Sequence, residues 1–589
     1  MKKTIRKLLG GLLLASLALA GCSFPNEVPQ SDDTGQSREL STYDGTGKKV
    51  PMGAYSGVKG FLGASNEAGC FGEDTYLESE YRDWRDHYVT SNGAGGYLRV
   101  QRDWVTYYDT VSEGIGYGML LAVYFDDQPT FDALNSYAKL HATKDGLMHW
   151  KVDGYGRNVC EIPHLDSSGN FVNFIEVKDN APTAVTEISA YTGEQLPLPG
   201  NSMDRWRCSA VDADFDMAAA LIFAYKRWGN RSGMVYSAEA IAMLKVLAAK
   251  GVKYDANSGR YFIMAGIGDW GGAWGSAAGW NPSYATTAWF PIFHAFMDLY
   301  DAQYPETNTP TWSTVYTDVL YELIKMDNWY GNKGIFPDWV DQTNPTQPKR
   351  STTVSDRGPL SYNCYYDAVR VPWRLAVDRS WNSTINPIYI TNHLISFIDS
   401  KGGLANIVDG YVPGGGGFDA WYADWNNVFA PSPYNPRNYK PSTVPSFKNK
   451  RNENVVLGGY GNSPTFIAMF GAALLHSGSD ATVQSTYEMV KANKEAYGQN
   501  YNYYGNTLRL LSMLYLTGNM KNLYNATYLP MLTGTVTGTQ SSYYYIKNRK
   551  YGTYLTRSGN NIVLTKAFLT DLQSNQDAKW QILDGNNDG

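Results

Sequence analysis

The chain has 589 residues, a formal net charge of −6 and 43% hydrophobic residues. That is ample apolar content for a large core, and it excludes a disordered chain. The mild acidity argues against a nucleic-acid partner, because phosphate binding needs clustered Lys and Arg. The 45 Tyr and 17 Trp offer flat faces that could stack on sugar rings, although most such rings fill a core or its rim.

In chain order, Lys2, Lys3, Arg6 and Lys7 precede an apolar run from Leu8 to Ala20 that is too short to span a bilayer. It ends in Leu19-Ala20-Gly21-Cys22, which resembles a bacterial lipobox. Cleavage before Cys22 would leave a lipid-modified N-terminal cysteine; the competing reading is an ordinary secretory signal with an incidental cysteine. Residues 1–22 are therefore expected to be a signal segment. Residues 23–50, rich in Ser, Gly, Asp and Thr, are expected to be a flexible tether. The chain is expected to be exported to the bacterial cell envelope, held by its lipid or released, and to work as a monomer. No later stretch is long and apolar enough to cross a membrane. Cys70, Cys160, Cys208 and Cys364 remain, and four cysteines in an exported chain permit two disulfides in any of three connectivities.

From about 78 to 517 apolar residues recur at three- and four-residue spacing. The spacing predicts helices near 78–89, 113–125, 129–142, 213–228, 236–251, 284–301, 311–327, 365–379, 385–399, 463–477, 480–497 and 504–516, twelve in all. Long Gly-, Pro- and Asn-rich loops separate some of them, notably 152–208 and 403–460; loops of that length usually line a site. After about 540, alternating runs such as Tyr543-Tyr544-Tyr545-Ile546-Lys547 predict short strands.

Four stretches carry unusual residues at helix starts. Ser112-Glu113-Gly114-Ile115-Gly116-Tyr117-Gly118 sets a carboxylate among glycines, which suits close approach of a substrate or close helix packing. Its glycine spacing is not GxGxxG, and a carboxylate would repel phosphate. Asp212-Ala213-Asp214-Phe215-Asp216 opens another helix, where the macrodipole favours acidic residues and capping alone accounts for one or two of them. A calcium loop is excluded, because Met217 and Phe223 stand where that loop needs glycine and glutamate. In Tyr366-Asp367-Ala368-Val369-Arg370, an Asp three residues before an Arg permits either a local salt bridge or a base tuned by its cation. The fourth stretch is Trp274 with Asn281-Pro282-Ser283-Tyr284, aromatics and an amide leading into a helix. These stretches open the second, fourth, eighth and sixth helices, and Tyr503-Tyr504 opens the twelfth. If alternate helices form an inner ring, all five sites meet at one of its ends. No HExxH occurs among the seven His, the cysteine gaps fit no metal pattern, and no metal or cofactor is expected.

Taken together, VSEGIGYGMLLAVYF (111–125), GLMHWKVD (146–153), AVDADFDMAAALIFAYKRWG (210–229), WNPSY (280–284), PDW (337–339), YDAVRVPWRLAVD (366–378) and YYGNTLRLLSMLYLTGN (503–519) resemble glycoside hydrolase family 8, especially its endoglucanases. The resemblance runs from roughly 80 to 525. It implies an all-α fold, an (α/α)6 barrel over residues 51–530, and an inverting endo-β-1,4-glucanase acting on cellulose-type or mixed-linkage glucan. An endo-xylanase or chitosanase is the alternative within the family, and a catalytically dead glycan-binding lipoprotein the alternative outside it. By motif, Glu113 would be the general acid, Asp367 the general base, and Asp212 the carboxylate that binds and distorts the sugar at the cleavage point. Tyr284, Tyr366 and Arg370 would surround that subsite, with Trp150, Trp274 and Tyr504 stacking on sugars. In that scheme Asp212 raises the proton affinity of Glu113, and Arg370 keeps Asp367 ionised. Val211 departs from the family's usual Ser or Thr, and the two long loops look enlarged, which leaves endo or exo action open. Residues 541–585, with YYYIKNRKYGTYL and DAKWQI, look similar to one repeat of a ricin-type β-trefoil.

Overall fold

The computed structural model describes residues 74–103, 108–165, 171–178, 207–269, 272–304, 310–351, 362–382, 384–411, 413, 464–495 and 502–525, with short strands at 42–43, 49–50, 446–448, 454–456, 547–548, 553–558 and 561–565. The signal segment with Cys22 and the 23–50 tether lie outside the described residues, apart from the two-residue strands.

Twelve α-helices occur among the described residues: α1 (Asp74–Tyr88), α2 (Ser112–Tyr124), α3 (Gln128–Leu140), α4 (Val211–Trp228), α5 (Tyr236–Val246), α6 (Phe290–Tyr300), α7 (Trp312–Trp329), α8 (Val371–Asn382), α9 (Ile385–Ser400), α10 (Pro464–Ala473), α11 (Asp480–Ala492) and α12 (Asn502–Leu516). They alternate in character. In α1 the buried residues Leu77, Tyr81, Trp84 and Tyr88 fall on one stripe, the pattern of a helix with one face on a core. In α2 every residue but Glu113 is buried, and all of α10 is buried; helices apolar all round belong inside. The even-numbered helices form an inner ring and the odd-numbered ones sheathe it, giving an (α/α)6 barrel. Its first and last hairpins close on each other: Trp84 Nε1 donates to Thr507 Oγ1 at 2.8 Å, and Arg509 Nη1 to Glu80 Oε2 at 2.6 Å.

Inner helices pack closely where they lack side chains. A Cβ on Gly116 would stand 3.1 Å from the Ala213 carbonyl oxygen of α4, and one on Gly114 only 2.5 Å from the Tyr503 hydroxyl. Gly114 and Gly116 therefore serve the close packing of the inner helices.

Two helix starts differ from the sequence expectation. Helix α6 begins at Phe290, six residues after Tyr284, and α8 at Val371, after Asp367. Pro291 and Pro372 explain both, because proline lacks the N–H an interior turn needs and fits only a first turn. Tyr284 ends a short 3₁₀ turn (Pro282–Tyr284), and Asp367 precedes another (Ala368–Arg370). The two disulfides that four cysteines would permit are not both formed. Cys208 and Cys364 are buried free thiols; the Cys208 thiol donates to the Ser209 carbonyl and accepts from Trp274 Nε1, each at 3.2 Å. Cys70 lies outside the described residues.

Connections from an odd to an even helix all emerge at the end where the inner helices begin. There the ribbon Thr110–Val111 with Lys151–Val152 leads straight into α2. The 152–208 connection contains a hairpin, Val159–Leu165 with Phe171–Lys178. Residues 179–206 and 414–445 of the two long loops lie outside the described residues. The tail contains an antiparallel sheet of Lys547–Asn548, Thr553–Ser558 and Asn561–Thr565, while the run expected at 543–547 lies outside the described residues but for Lys547.

Candidate active site

Glu113 stands in the first turn of α2, and it alone on that helix faces the opening, its side chain one-fifth exposed. Asp212 stands in the first turn of α4 and is buried. Neither caps its helix: the residues ahead of α2 and α4, Val111 and Ala210, make no side-chain cap. Both carboxylates instead take the same cation. Arg370 Nη1 donates to Glu113 Oε2 at 2.5 Å and to Asp212 Oδ2 at 2.7 Å, while its Nη2 donates to Ser283 Oγ at 2.7 Å. Its guanidinium carbon lies 5.8 Å from the centre of the Tyr284 ring.

The register across the barrel explains this choice of partner. Asp212 and Asp216 are one turn apart on α4, and Arg370 and Arg374 are one turn apart where the 3₁₀ turn runs into α8. Arg374 donates to both oxygens of Asp216, at 3.0 and 2.9 Å, and Trp289 Nε1 adds a third bond to Asp216 at 2.8 Å. All four side chains are almost wholly buried. The lower pair is fully used structurally and fixes the upper pair beneath the opening.

The expected role of Arg370 toward Asp367 is therefore corrected. Arg370 reaches only the Asp367 backbone carbonyl, through Nε at 3.1 Å. The Asp367 carboxylate is held by neutral donors on one oxygen, Asn281 Nδ2 at 3.2 Å and Trp339 Nε1 at 3.1 Å, both on Oδ2. Among the described residues no donor reaches its Oδ1. Buried Asp338 accepts the backbone N–H groups of Tyr365, Asp367 and Ala368 on one oxygen, at 2.9, 3.2 and 2.7 Å. The adjacent pair Asp338-Trp339 thus fixes both the backbone and the carboxylate of Asp367. Asp338, Trp339, Ser283 and the Asp216–Arg374 pair were not singled out from the sequence. The i,i+4 match of two Asp to two Arg was a legible signal for the last.

The aromatic residues line this centre. Trp274, 37% exposed, stacks on Trp339 with centroids 5.8 Å apart and planes at 25°, and Trp339 in turn packs against Tyr284. Trp150 lies beside the acid helix, its carbonyl accepting Ser112 N–H at 2.8 Å and its own N–H donated to Cys208 O at 2.8 Å. Cys208 thereby links Trp150 to Trp274. Tyr366 is half-buried, and its hydroxyl is donated to Asp409 at 2.8 Å; the Tyr504 hydroxyl is donated to the Tyr366 carbonyl at 2.7 Å.

The electrostatics separate the carboxylates. Burial pushes Glu113 up to about 7, with Arg370 opposing and the charges of Asp212 and Asp367 assisting. Burial also raises Asp212, but both Arg370 and Arg374 oppose it. Of the two acids on Arg370, Glu113 is the one poised to hold a proton near neutrality. The site thus sets one carboxyl group inclined to hold a proton and a second on neutral donors among aromatic rings.

The family model described as "Glycosyl hydrolases family 8" matches residues 49–170 and 199–417. The chain belongs to glycosyl hydrolases family 8. Endoglucanase C of Ruminiclostridium cellulolyticum is 33% identical to this family 8 chain over 493 residues, 83% of the chain and 79% of that protein. Endoglucanase A of Acetivibrio thermocellus is 32% identical over 447 residues, 76% and 70% respectively. Among solved structures, the apo β-1,3-1,4-glucanase from Paenibacillus sp. X4 matches with a TM-score of 0.51 at 20% identity, covering 77% of this chain and 93% of that one. That likeness is one of fold.

Proposed function

We propose that this family 8 glycosyl hydrolase is an endo-β-1,4-glucanase that cleaves cellulose-type or mixed-linkage glucan with inversion. The observation that carries the reading is the division of the site: Glu113 shares Arg370 with Asp212, while Asp367 rests on Asn281 and Trp339. Cutting a glycosidic bond with inversion needs one group to protonate the leaving oxygen and another to activate water on the opposite face of the ring. Glu113 is the general acid. Its Oε2 accepts from Arg370, so the proton sits on Oε1; once that proton leaves, Arg370 stabilises the new anion. Asp367 is the general base, with Oδ1 left for the attacking water. In such a pair the carboxyl groups stand roughly 6.5–9.5 Å apart to admit that water. Asp212, held by Arg370, binds a hydroxyl of the distorted sugar. Trp150, Trp274 and Tyr504 hold neighbouring rings.

The glucan assignment is supported by the relatives named endoglucanases and by the acid and DAD motifs. A reducing-end assay on carboxymethyl cellulose, mixed-linkage glucan, xylan and chitosan tests it. Glucan turnover several-fold above xylan is expected; xylan rates equal or higher would move the assignment to the xylanase alternative. No release of reducing ends on any of the four would favour a glycan-binding protein.

The N-terminal reading belongs to the same proposal. Residues 1–22 direct export and Cys22 carries the lipid, supported by the lipobox-like Leu-Ala-Gly-Cys. Mass spectrometry of the mature N-terminal peptide checks this: an acylated Cys22 is expected, and an unmodified N-terminus elsewhere would overturn it. The tail we read as one ricin-type repeat, on its sequence similarity alone.

A further inference from the structure

Seven Tyr and Trp side chains are markedly exposed among the described residues. Three of these sit on neighbouring loops on the Trp150 side: Tyr97, Tyr108 (51% exposed) and Tyr155 (84% exposed). The loops are tied together by one buried cation. Arg99 donates to Asn92 O at 2.5 Å, Tyr108 O at 2.6 Å, Thr110 Oγ1 at 3.0 Å and Gly154 O at 3.4 Å. Burying a guanidinium is costly, so this tie is a built feature. The loops also interlock, since a Cβ on Gly93 would stand 2.3 Å from Gly154 O.

Tyr108 is held at φ 56°, a conformation strained for a bulky side chain, and the Arg99 bond to its carbonyl fixes it there with the ring half exposed. Arg157 lies over the Tyr155 ring, 5.4 Å from its centre, and is itself fixed by an ion pair to Asp153. The position of these rings follows from strand register. Ser112 N–H bonds Trp150 O, and Thr110 pairs with Val152. Outward along this ribbon, Tyr108 and Gly154 come next, roughly 13 Å from the start of α2 at strand spacing. That is farther than a sugar bound at the Glu113 subsite reaches.

We propose that Tyr108 and Tyr155, on the three loops clamped by Arg99, form distal subsites that stack on sugar units of the polysaccharide beyond Trp150. This rests on the glycan-cleaving reading above and adds to it where a long chain gains affinity that a short one does not. The test is a Tyr108→Asn, Tyr155→Ala chain; asparagine tolerates the left-handed backbone, so the fold is kept. Two lost aromatic contacts should raise KM on long soluble glucan about tenfold. Turnover number, and kcat/KM on a cello-oligosaccharide too short to reach the platform, should not change. Thermal stability should be unchanged or higher, because strain at position 108 is relieved. An unchanged polymer KM, or equal losses on polymer and oligosaccharide, would overturn the proposal. Failure of the substrate reading would be seen separately, as a wild-type chain inactive on glucan. Retardation of Glu113→Gln chains in gels containing soluble glucan or xylan then decides the matter. Weaker retardation when the two tyrosines are changed supports the platform, and equal retardation in both gels refutes it.

Discussion

Replacing Glu113 by Gln should make the protein more stable at alkaline pH while nearly abolishing turnover. Glu113 is moved from an ordinary 4.5 to about 7, chiefly by burial. The folded chain therefore binds this proton more tightly than the unfolded chain does, and stability falls as pH rises from about 4.5 through about 7. Above about pH 8 the whole cost is present, about 3 kcal/mol at 1.36 kcal/mol per pH unit. Glutamine keeps the shape, still accepts from Arg370 and cannot ionise, so it recovers that amount. Unfolding entropy near 2.1 cal/mol/K per residue over roughly 450 ordered residues makes 3 kcal/mol worth about 3 °C in Tm. Scanning calorimetry of both chains at about pH 4 and pH 8.5 should show a clear Tm gain only at the higher pH. A gain independent of pH, or a variant less stable at pH 8.5, would refute the argument that burial holds a proton on Glu113. Turnover should fall by about two to four orders of magnitude, the scale of a lost general acid.

Three further outcomes follow from the same geometry. In the wild type, kcat/KM should decline as pH rises through about 7, because the acid must be protonated; a profile flat to pH 9 or so would contradict this. Asp216→Asn removes the charge paired with buried Arg374 and should cost about 3–5 kcal/mol in denaturant unfolding, whereas a loss below about 1 kcal/mol would show that the lower pair is not structural. Trp339→Phe keeps a ring against Trp274 but removes the donor to Asp367. It should lower kcat about tenfold, the worth of one hydrogen bond to a charged group, with little change in KM; a change confined to KM would make Trp339 a sugar contact only.

The helical architecture was legible because outer helices keep a one-sided apolar stripe and inner ones are long runs buried all round. What failed was local. Pro291 and Pro372 displaced the starts of α6 and α8, leaving Tyr284 at the end of one 3₁₀ turn and Asp367 just ahead of another. The glycines beside Glu113 could be read for substrate or for packing, and only the neighbours Ala213 and Tyr503, 97 or more residues away, decide for packing. The structure places Glu113, Asp212 and Arg370 in contact, whereas sequence proximity suggested Asp367 as the partner of Arg370. Its position one turn from Arg374, facing Asp212 and Asp216, outweighs its closeness to Asp367. The supports of Asp367 come from Asn281, Asp338 and Trp339, 86 to 28 residues earlier, a distance over which periodicity carries no information.

The division of labour between Glu113 and Asp367 is tested most directly by the anomer first released. Proton NMR during the first minutes of hydrolysis of a β-linked glucan should show the α-anomer of the new reducing end appearing before mutarotation mixes the two. With Asp367→Asn that signal should appear about two to four orders of magnitude more slowly. A β-anomer appearing first, or an Asp367→Asn chain of near-normal rate, would contradict the assignment of Asp367 as the base.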